Sequence, residues 1–414
     1  MRGGAGSAVA GPVPPSTRIG ALDGLRGVAA AVVLAHHALM TDPALATAYT
    51  RPEAGESGWR AVLLYSPLHV LWGGTQAVFV FFVLSGYVLA LPAAAGRPTA
   101  WLPYYPKRLL RLYLPVWGAV ALALVGQGLV RRDQFVSGGW WLDGHHQVTT
   151  WPPILADLAL LGDPQATNTA LWSLKWEVVF SLLLPLFVWG GQLLRRLPML
   201  PVIVVLVAVP AALAGSSDAA RYLPMFGAGV VLAMGRDRSA ATLARVKQLP
   251  GRRGDALAGL ALAAALVGLN AYWTLFALWP GTSVLVVHLA RVVEVLSAAL
   301  LVALVATWPP LQSVLGRGHV RWLGARSFSL YLVHEPLVVG VATLLGPTLV
   351  SRFGTGSVVD VVTVEVVAVA VALLVAAAFY RAVELPSLRW ANAVAAKVRS
   401  VTGSPVAAPQ PSSS

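Results

Sequence analysis

Near its start the chain places an acid, an arginine and two histidines inside an otherwise apolar run, where ionisable groups are costly and mark either pairing or function. The run reads Ile19-Gly20-Ala21-Leu22-Asp23-Gly24-Leu25-Arg26-Gly27 and continues through Ala, Val and Leu to His36-His37. On an α-helix Arg26 and His37 lie about 20° beyond three full turns of each other, so they share a face, about 16 Å apart along the axis. Asp23 returns to that face within i,i+3 reach of Arg26, whereas His36 points about 100° away from His37. Such a stripe suits an internal polar network. It equally suits a site that holds an anion near Arg26 and brings the other end of an extended ligand to His37. Imidazole titrates near neutral pH and is a natural general base.

Four further positions carry comparable chemistry. Lys107-Arg108-Leu109-Leu110-Arg111 opens a later apolar run; snorkelling would explain it, but Arg108 and Arg111 are helical neighbours and paired guanidinia suit phosphate. Leu171-Trp172-Ser173-Leu174-Lys175-Trp176-Glu177 puts Ser173 and Glu177 one turn apart, with Glu177 expected at a depth similar to His37 and Lys175 an alternative partner. His334 falls near the middle of a span, and the nearby Pro336 frees a backbone carbonyl. Arg291 and Glu294 read as a mutual i,i+3 ion pair. The chain has no cysteine and eight histidines without an H-x-x-x-H pair, so neither a thiolate nucleophile nor a metal site is expected.

The elements that must position these groups are membrane helices. Of the 414 residues 57% are hydrophobic and 11% charged, against roughly 25% charged in soluble domains, and mean hydropathy is +0.71. The expected fold is all-α, a polytopic integral membrane protein of about ten transmembrane helices. Their approximate bounds are 19–40, 69–91, 108–128, 170–189, 198–215, 221–235, 256–273, 282–306, 324–349 and 358–380. Residues 1–17 and 400–414 read as flexible tails flanking a membrane domain over 19–390. Ala46-Thr47-Ala48 resembles a signal cleavage site, but Asp23, Arg26, His36 and His37 are out of place in a disposable segment, so the first span is read as retained. With the N-terminus in the cytoplasm, twenty-one of the 30 Lys and Arg residues fall in cytoplasmic segments. Six fall outside (Arg51, Arg60, Arg131, Arg132, Arg221 and Arg352), while Arg26, Lys175 and Arg291 lie within spans. That asymmetry predicts an even span count with both termini cytoplasmic in the cell membrane, and it accounts for the net charge of +13 without nucleic acid. The long external connection over 129–169 holds Trp140-Trp141, His145-His146 and Trp151-Pro152-Pro153, residues suited to interfacial anchoring or to acceptor contact.

Read together, these residues resemble the acyltransferase-3 family of integral-membrane O-acyltransferases. Leu22-Asp23-Gly24-Leu25-Arg26-Gly27 with His37 is similar to its opening motif, and Phe81-Phe82-Val83-Leu84-Ser85-Gly86-Tyr87 to its second-span signature. Arg108-Leu109-Leu110-Arg111 with Pro115 resembles its Arg-x-x-Arg stretch, and Trp172-Ser173-Leu174 with Glu177, Phe180 and Pro185 its fourth-span motif. Ser327-Phe328-Ser329-Leu330-Tyr331-Leu332-Val333-His334 resembles its late motif and Glu384-Leu385-Pro386 its closing one. Lys175 and Trp176 depart from the small or polar residues usual before that glutamate. The resemblance implies a membrane enzyme without a tightly bound cofactor. It would use acyl-CoA as co-substrate and acylate a hydroxyl of a saccharide, glycolipid or glycosylated natural product, with acetyl the commonest group. In that setting Arg26, Arg108 and Arg111 would hold the phosphates of CoA, His37 would be the general base, Asp23 would orient Arg26, and Glu177 and His334 would position acceptor or acyl chain. A transporter or flippase for a lipid-linked sugar or antibiotic also accommodates intramembrane charge and a broken helix, although no repeat relates the two halves. A non-catalytic scaffold leaves the Arg26–His37 spacing unexplained.

Overall fold

Each long apolar run folds as helix, and no strand occurs among the described residues. The structure is a computed structural model that describes residues 20–52, 55–131, 136–145, 150–213, 217–249, 251–279, 281 and 283–402. The expected tail over 1–17 lies outside them, as does 403–414 of the second tail. Residues 400–402 finish the last helix.

In chain order the helices are α1 (Gly20–Leu39), α2 (Pro43–Thr50), α3 (Gly58–Tyr65), α4 (Gly74–Ala94), α5 (Trp101–Leu129), α6 (Trp140–Gly144) and α7 (Trp151–Ala159). There follow α8 (Leu171–Leu194), α9 (Met199–Leu213), α10 (Asp218–Met234), α11 (Arg236–Lys247), α12 (Arg253–Gly268) and α13 (Ala271–Leu278). The chain ends with α14 (Val284–Thr307), α15 (Pro309–Leu315), α16 (Gly318–Ala325), α17 (Ser327–Phe353), α18 (Val358–Phe379) and α19 (Leu385–Thr402), and a π-helical turn at Tyr380–Glu384 joins the last two.

Seven helical segments among the described residues are long and apolar enough to cross a bilayer, the last being the continuous Val358–Thr402. The chain is therefore a multi-pass membrane protein, but the expected ten spans are not all present at spanning length. The fifth and sixth became α9 and α10, of 15 and 17 residues, roughly 22 and 25 Å long against a hydrocarbon core of about 30 Å. The seventh is broken: α12 and α13 meet at 67° across Leu269-Asn270 and make an eighth candidate only if counted together.

The first helix sits at the centre, packed by α4, α14, α16, α17 and α18. Its close approach to α16 depends on two glycines, since a Cβ at Gly27 would collide with the backbone of Gly324, and one at Gly324 with that of Asp23. Two of the prolines inside helices release carbonyls that find specific partners. Pro336 cannot donate to Leu332, whose oxygen instead accepts the Asn168 amide at 2.8 Å. Pro185 likewise leaves Ser181 O to the Tyr104 hydroxyl at 3.3 Å. Freed backbone groups at membrane depth require such substitutes. The expected Arg291–Glu294 ion pair is present at 2.8 Å, and Gln76 adds a hydrogen bond to Glu294 at 3.0 Å.

Candidate active site

Two polar assemblies stand one above the other in the bundle, and Tyr331 touches both. The first is a cavity of about 500 Å³ framed by α1, α4, α5, α8, α17 and α19, with Asp23, Arg26, Arg108, Arg111 and Glu177 in its wall. Five of the seven residues singled out in the sequence thus come together there. Arg108 is committed: its Nη2 donates to Glu177 Oε1 at 2.6 Å and its Nε to Ser181 Oγ at 3.0 Å. Ser85 of the second-span signature donates to the same glutamate oxygen at 3.1 Å.

Arg26 and Arg111 differ from Arg108. Among the described residues neither makes a hydrogen bond or ion pair, and Arg26 is not bonded to Asp23 as its i,i+3 spacing suggested. Glu384 and Glu177 share that wall and lie close enough to act on both guanidinia, but neither is bonded to them, and two unbonded guanidinia facing one cavity can receive an anion. Lys107 and Arg97 extend the positive wall.

The second assembly holds the other two residues, His37 and His334, which do not line the cavity. His37 Nδ1 and His334 Nε2 lie 2.8 Å apart. His334 Nδ1 faces two carbonyl oxygens, Tyr331 O at 2.8 Å and Leu330 O at 3.1 Å. Carbonyls only accept, so the proton of neutral His334 is on Nδ1 and its Nε2 accepts from His37 Nδ1–H. The lone pair of His37 is consequently on Nε2, the atom able to take a proton. Trp141 of α6 stacks on the His37 ring at 5.6 Å.

Glu177 does not reach these histidines. Arg108 holds its carboxylate in the cavity wall, and Lys175, the alternative partner, donates instead to Gly162 O at 2.5 Å. The acid beside the histidines is Glu335, fully buried, with Oε2 3.7 Å from His37 Nε2. His145, just after α6, lies 2.8 Å from its other oxygen. His146, quoted with it from the sequence, lies outside the described residues. Glu335 stood in the run that drew attention to His334. An acid at span depth beside a proline was a usable signal, but sequence could not connect it to His145, 190 residues away. His37, His334 and Glu335 bring possible ligand atoms within 4.8 Å of one another. The 2.8 Å between the two imidazoles is nevertheless a hydrogen-bond distance, shorter than the roughly 3.3 Å between two nitrogens held tetrahedrally at about 2.0 Å from zinc.

His36 turns the other way. Its ring meets Tyr49 at 4.7 Å and Trp72 at 5.8 Å between centres, beside His69, which burial pushes down to about 3. That group is an aromatic packing cluster.

Between the two assemblies stands Tyr331, which lines the cavity with Ser173 and Phe81. Its hydroxyl is 2.6 Å from Ser173 Oγ, and its ring centre is 5.7 Å from those of both Phe81 and His334. An elongated ligand anchored at Arg26 and Arg111 would therefore end one side chain away from the paired histidines.

The family described as an acyltransferase domain, acyltransferase 3, matches residues 19–381, a range that includes His37, His334 and Glu335 and the cavity's Asp23, Arg26, Arg108, Arg111 and Glu177, but not Glu384 or α19, which also line the cavity. No curated protein and no solved structure matches the chain.

Proposed function

The chain belongs to the acyltransferase-3 family and is a membrane acyltransferase, and we propose that it moves an acyl group, acetyl foremost, from acyl-CoA to a hydroxyl of a saccharide, glycolipid or glycosylated natural product. The observation that carries this reading is the cavity whose wall presents Arg26 and Arg111, neither hydrogen-bonded nor ion-paired among the described residues, and which ends at Tyr331, beside the His37–His334 pair. The phosphates of CoA bind the two guanidinia, and the pantetheine arm carries the thioester toward Tyr331. Arg108 has a supporting part, because its charge is already matched by Glu177; that pair shapes the wall.

At the far end His37 Nε2 takes the proton of the acceptor hydroxyl. The oxygen attacks the thioester carbonyl carbon, the C–S bond breaks, and CoA leaves as a thiolate that is then protonated. His334 holds His37 in the required tautomer through the 2.8 Å bond. The Tyr331–Ser173 contact separates the cavity from the histidines, so reaction requires Tyr331 to move aside. With the donor mouth on the basic, cytoplasmic side and α6 outside, the acceptor is met at the external end of a bundle with both termini inside and an even number of crossings.

The test is thermal unfolding of the detergent-purified protein with acetyl-, butyryl- and decanoyl-CoA. A ligand that binds the folded state raises its apparent stability, by about 2.7 kcal/mol at a hundred times Kd. Acetyl-CoA should stabilise the wild type and His37→Ala, but not Arg111→Ala. If no acyl-CoA stabilises folded wild type, the donor assignment is wrong and a transporter becomes the better reading.

A further inference from the structure

One-way partners fix the protons around Glu335, because a carbonyl oxygen only accepts and a backbone N–H only donates. His145 Nδ1 is 2.7 Å from Trp141 O, so this nitrogen carries hydrogen. Its Nε2 is 2.8 Å from Glu335 Oε1. That carboxylate already accepts the N–H of Thr169 at 2.8 Å, the hydroxyl of Thr169 at 2.7 Å and the N–H of Ala170 at 3.0 Å. Three donors on two oxygens favour the ionised acid. The remaining contact is then satisfied only if His145 Nε2 also carries hydrogen, so His145 is an imidazolium paired with Glu335.

The opposite side of the same carboxylate faces His37 Nε2 at 3.7 Å. This exceeds hydrogen-bond range, yet a charge at such separation acts strongly on its neighbour. We propose that Glu335 is the counter-charge that stabilises His37 once it has taken the acceptor's proton, and that His145 competes for Glu335 and so sets how basic His37 is. Both are positioning residues, and the inference rests on His37 being the general base. When the hydroxyl O–H bond breaks and the His37 Nε2–H bond forms, the ring becomes a cation 3.7 Å from Glu335 and keeps its Nδ1–H bond to His334. His145 retains its own proton throughout. The titratable groups acting on His37 are Glu335 and His334 from α17, His36 from α1 and His145 from the segment after α6. Glu335 is the only anion among these four, and His145 is the member that the hydrogen bonds require to be charged.

The consequence has opposite signs at the two positions. His145→Gln removes the competing cation, so Glu335 favours protonated His37 more strongly and the base form appears only at higher pH. Glu335→Gln removes the anion, and the base form persists to lower pH. Shifts of roughly one pH unit are expected for an opposite charge at this range.

The experiment is a pH titration of ¹⁵N-histidine-labelled protein in bilayers, without donor or acceptor, with the His37 and His145 signals assigned by their loss in His37→Ala and His145→Gln. At pH 7 the His145 signal should be that of an imidazolium and His37 that of the neutral Nδ1–H tautomer. The His37 midpoint should rise in His145→Gln and fall in Glu335→Gln. A neutral His145 at pH 7, or a His37 midpoint that His145→Gln leaves unmoved, overturns the proposal. Glu335→Gln exchanges an acceptor oxygen for a donor and threatens folding at Thr169 or Ala170. In that case His145→Gln, checked by its thermal unfolding, carries the decision alone. Failure of the acyl-CoA assignment is read separately, from the acyl-CoA stabilisation above.

Discussion

The two adjacent histidines of α1 carry the sharpest contrast available at a single residue. If His37 is the general base proposed above, His37→Ala should lower transfer at least a hundredfold, while folded protein remains in the membrane. His36→Ala should leave transfer within a few-fold of wild type but lower the unfolding temperature, because the ring fills space between Tyr49 and Trp72. Activity and thermal unfolding measured side by side check both, and the reverse ranking would refute the assignment of Nε2 as the base. This pair was legible in the sequence, since the 100° between neighbours on a helix is a property of the backbone. The Glu177 environment was not. Its expected place beside His37 came from depth alone, and depth gives no information on which neighbouring helix supplies a counter-ion. Arg108 supplies it. Glu335 was similarly hidden, because its partners at Thr169, Ala170 and His145 come from segments that only the packed bundle brings together.

At the scale of elements, the chain joining α7 to α8 determines where α17 can sit. Asp157 at the end of α7 accepts Ala166 N at 3.1 Å, Thr167 N at 2.7 Å and the Thr167 hydroxyl at 2.6 Å; burial raises its carboxyl above the ordinary range even so. The stretch so pinned delivers Asn168 to the carbonyl that Pro336 releases, and Thr169 and Ala170 to Glu335. Asn168→Ala therefore leaves Leu332 O buried without a donor, a loss of about 1–3 kcal/mol. It also loosens the N–H groups that hold Glu335. The expected result is a lower unfolding temperature with reduced transfer, read on the same preparation. Asn168→Asp keeps the acceptor for Ala170 N but not the donor for Leu332, so it should not restore stability. A wild-type transition in Asn168→Ala would show that the Pro336 gap is filled in another way. The helices themselves were readable from apolar runs and their breakers. The bend between α12 and α13 was not, because an apolar run continues through Leu269-Asn270-Ala271 with one polar residue, and a single asparagine in such a run does not predict a 67° turn.

For the whole molecule the open quantity is how many of the helices cross, and the absence of cysteine makes it measurable residue by residue. The charge asymmetry favours an even count of ten, whereas length and composition support seven or eight. The difference lies in the α9–α10 pair and in the bent α12–α13. A hairpin of 15 and 17 residues reaches both faces only where the bilayer thins or flanking side chains snorkel. Positive charge supports crossing: Arg195 and Arg196 precede α9, and Arg236 and Arg238 follow α10, while the turn between those helices keeps a single nearby basic residue, Arg221. Such a distribution holds both outer ends of the hairpin on the cytoplasmic side. Single cysteines introduced at Ser217, Thr242 and Leu278, all exposed, can be labelled in intact cells with a membrane-impermeant maleimide. With ten crossings, Ser217→Cys and Leu278→Cys react from outside, and Thr242→Cys reacts only after the membrane is opened. Should Ser217→Cys behave like Thr242→Cys, α9 and α10 do not cross and the count falls to eight. If Leu278→Cys also joins them, α12 and α13 form a re-entrant pair and the even count no longer follows. His37 would then have to be reached by its acceptor through a differently sided bundle.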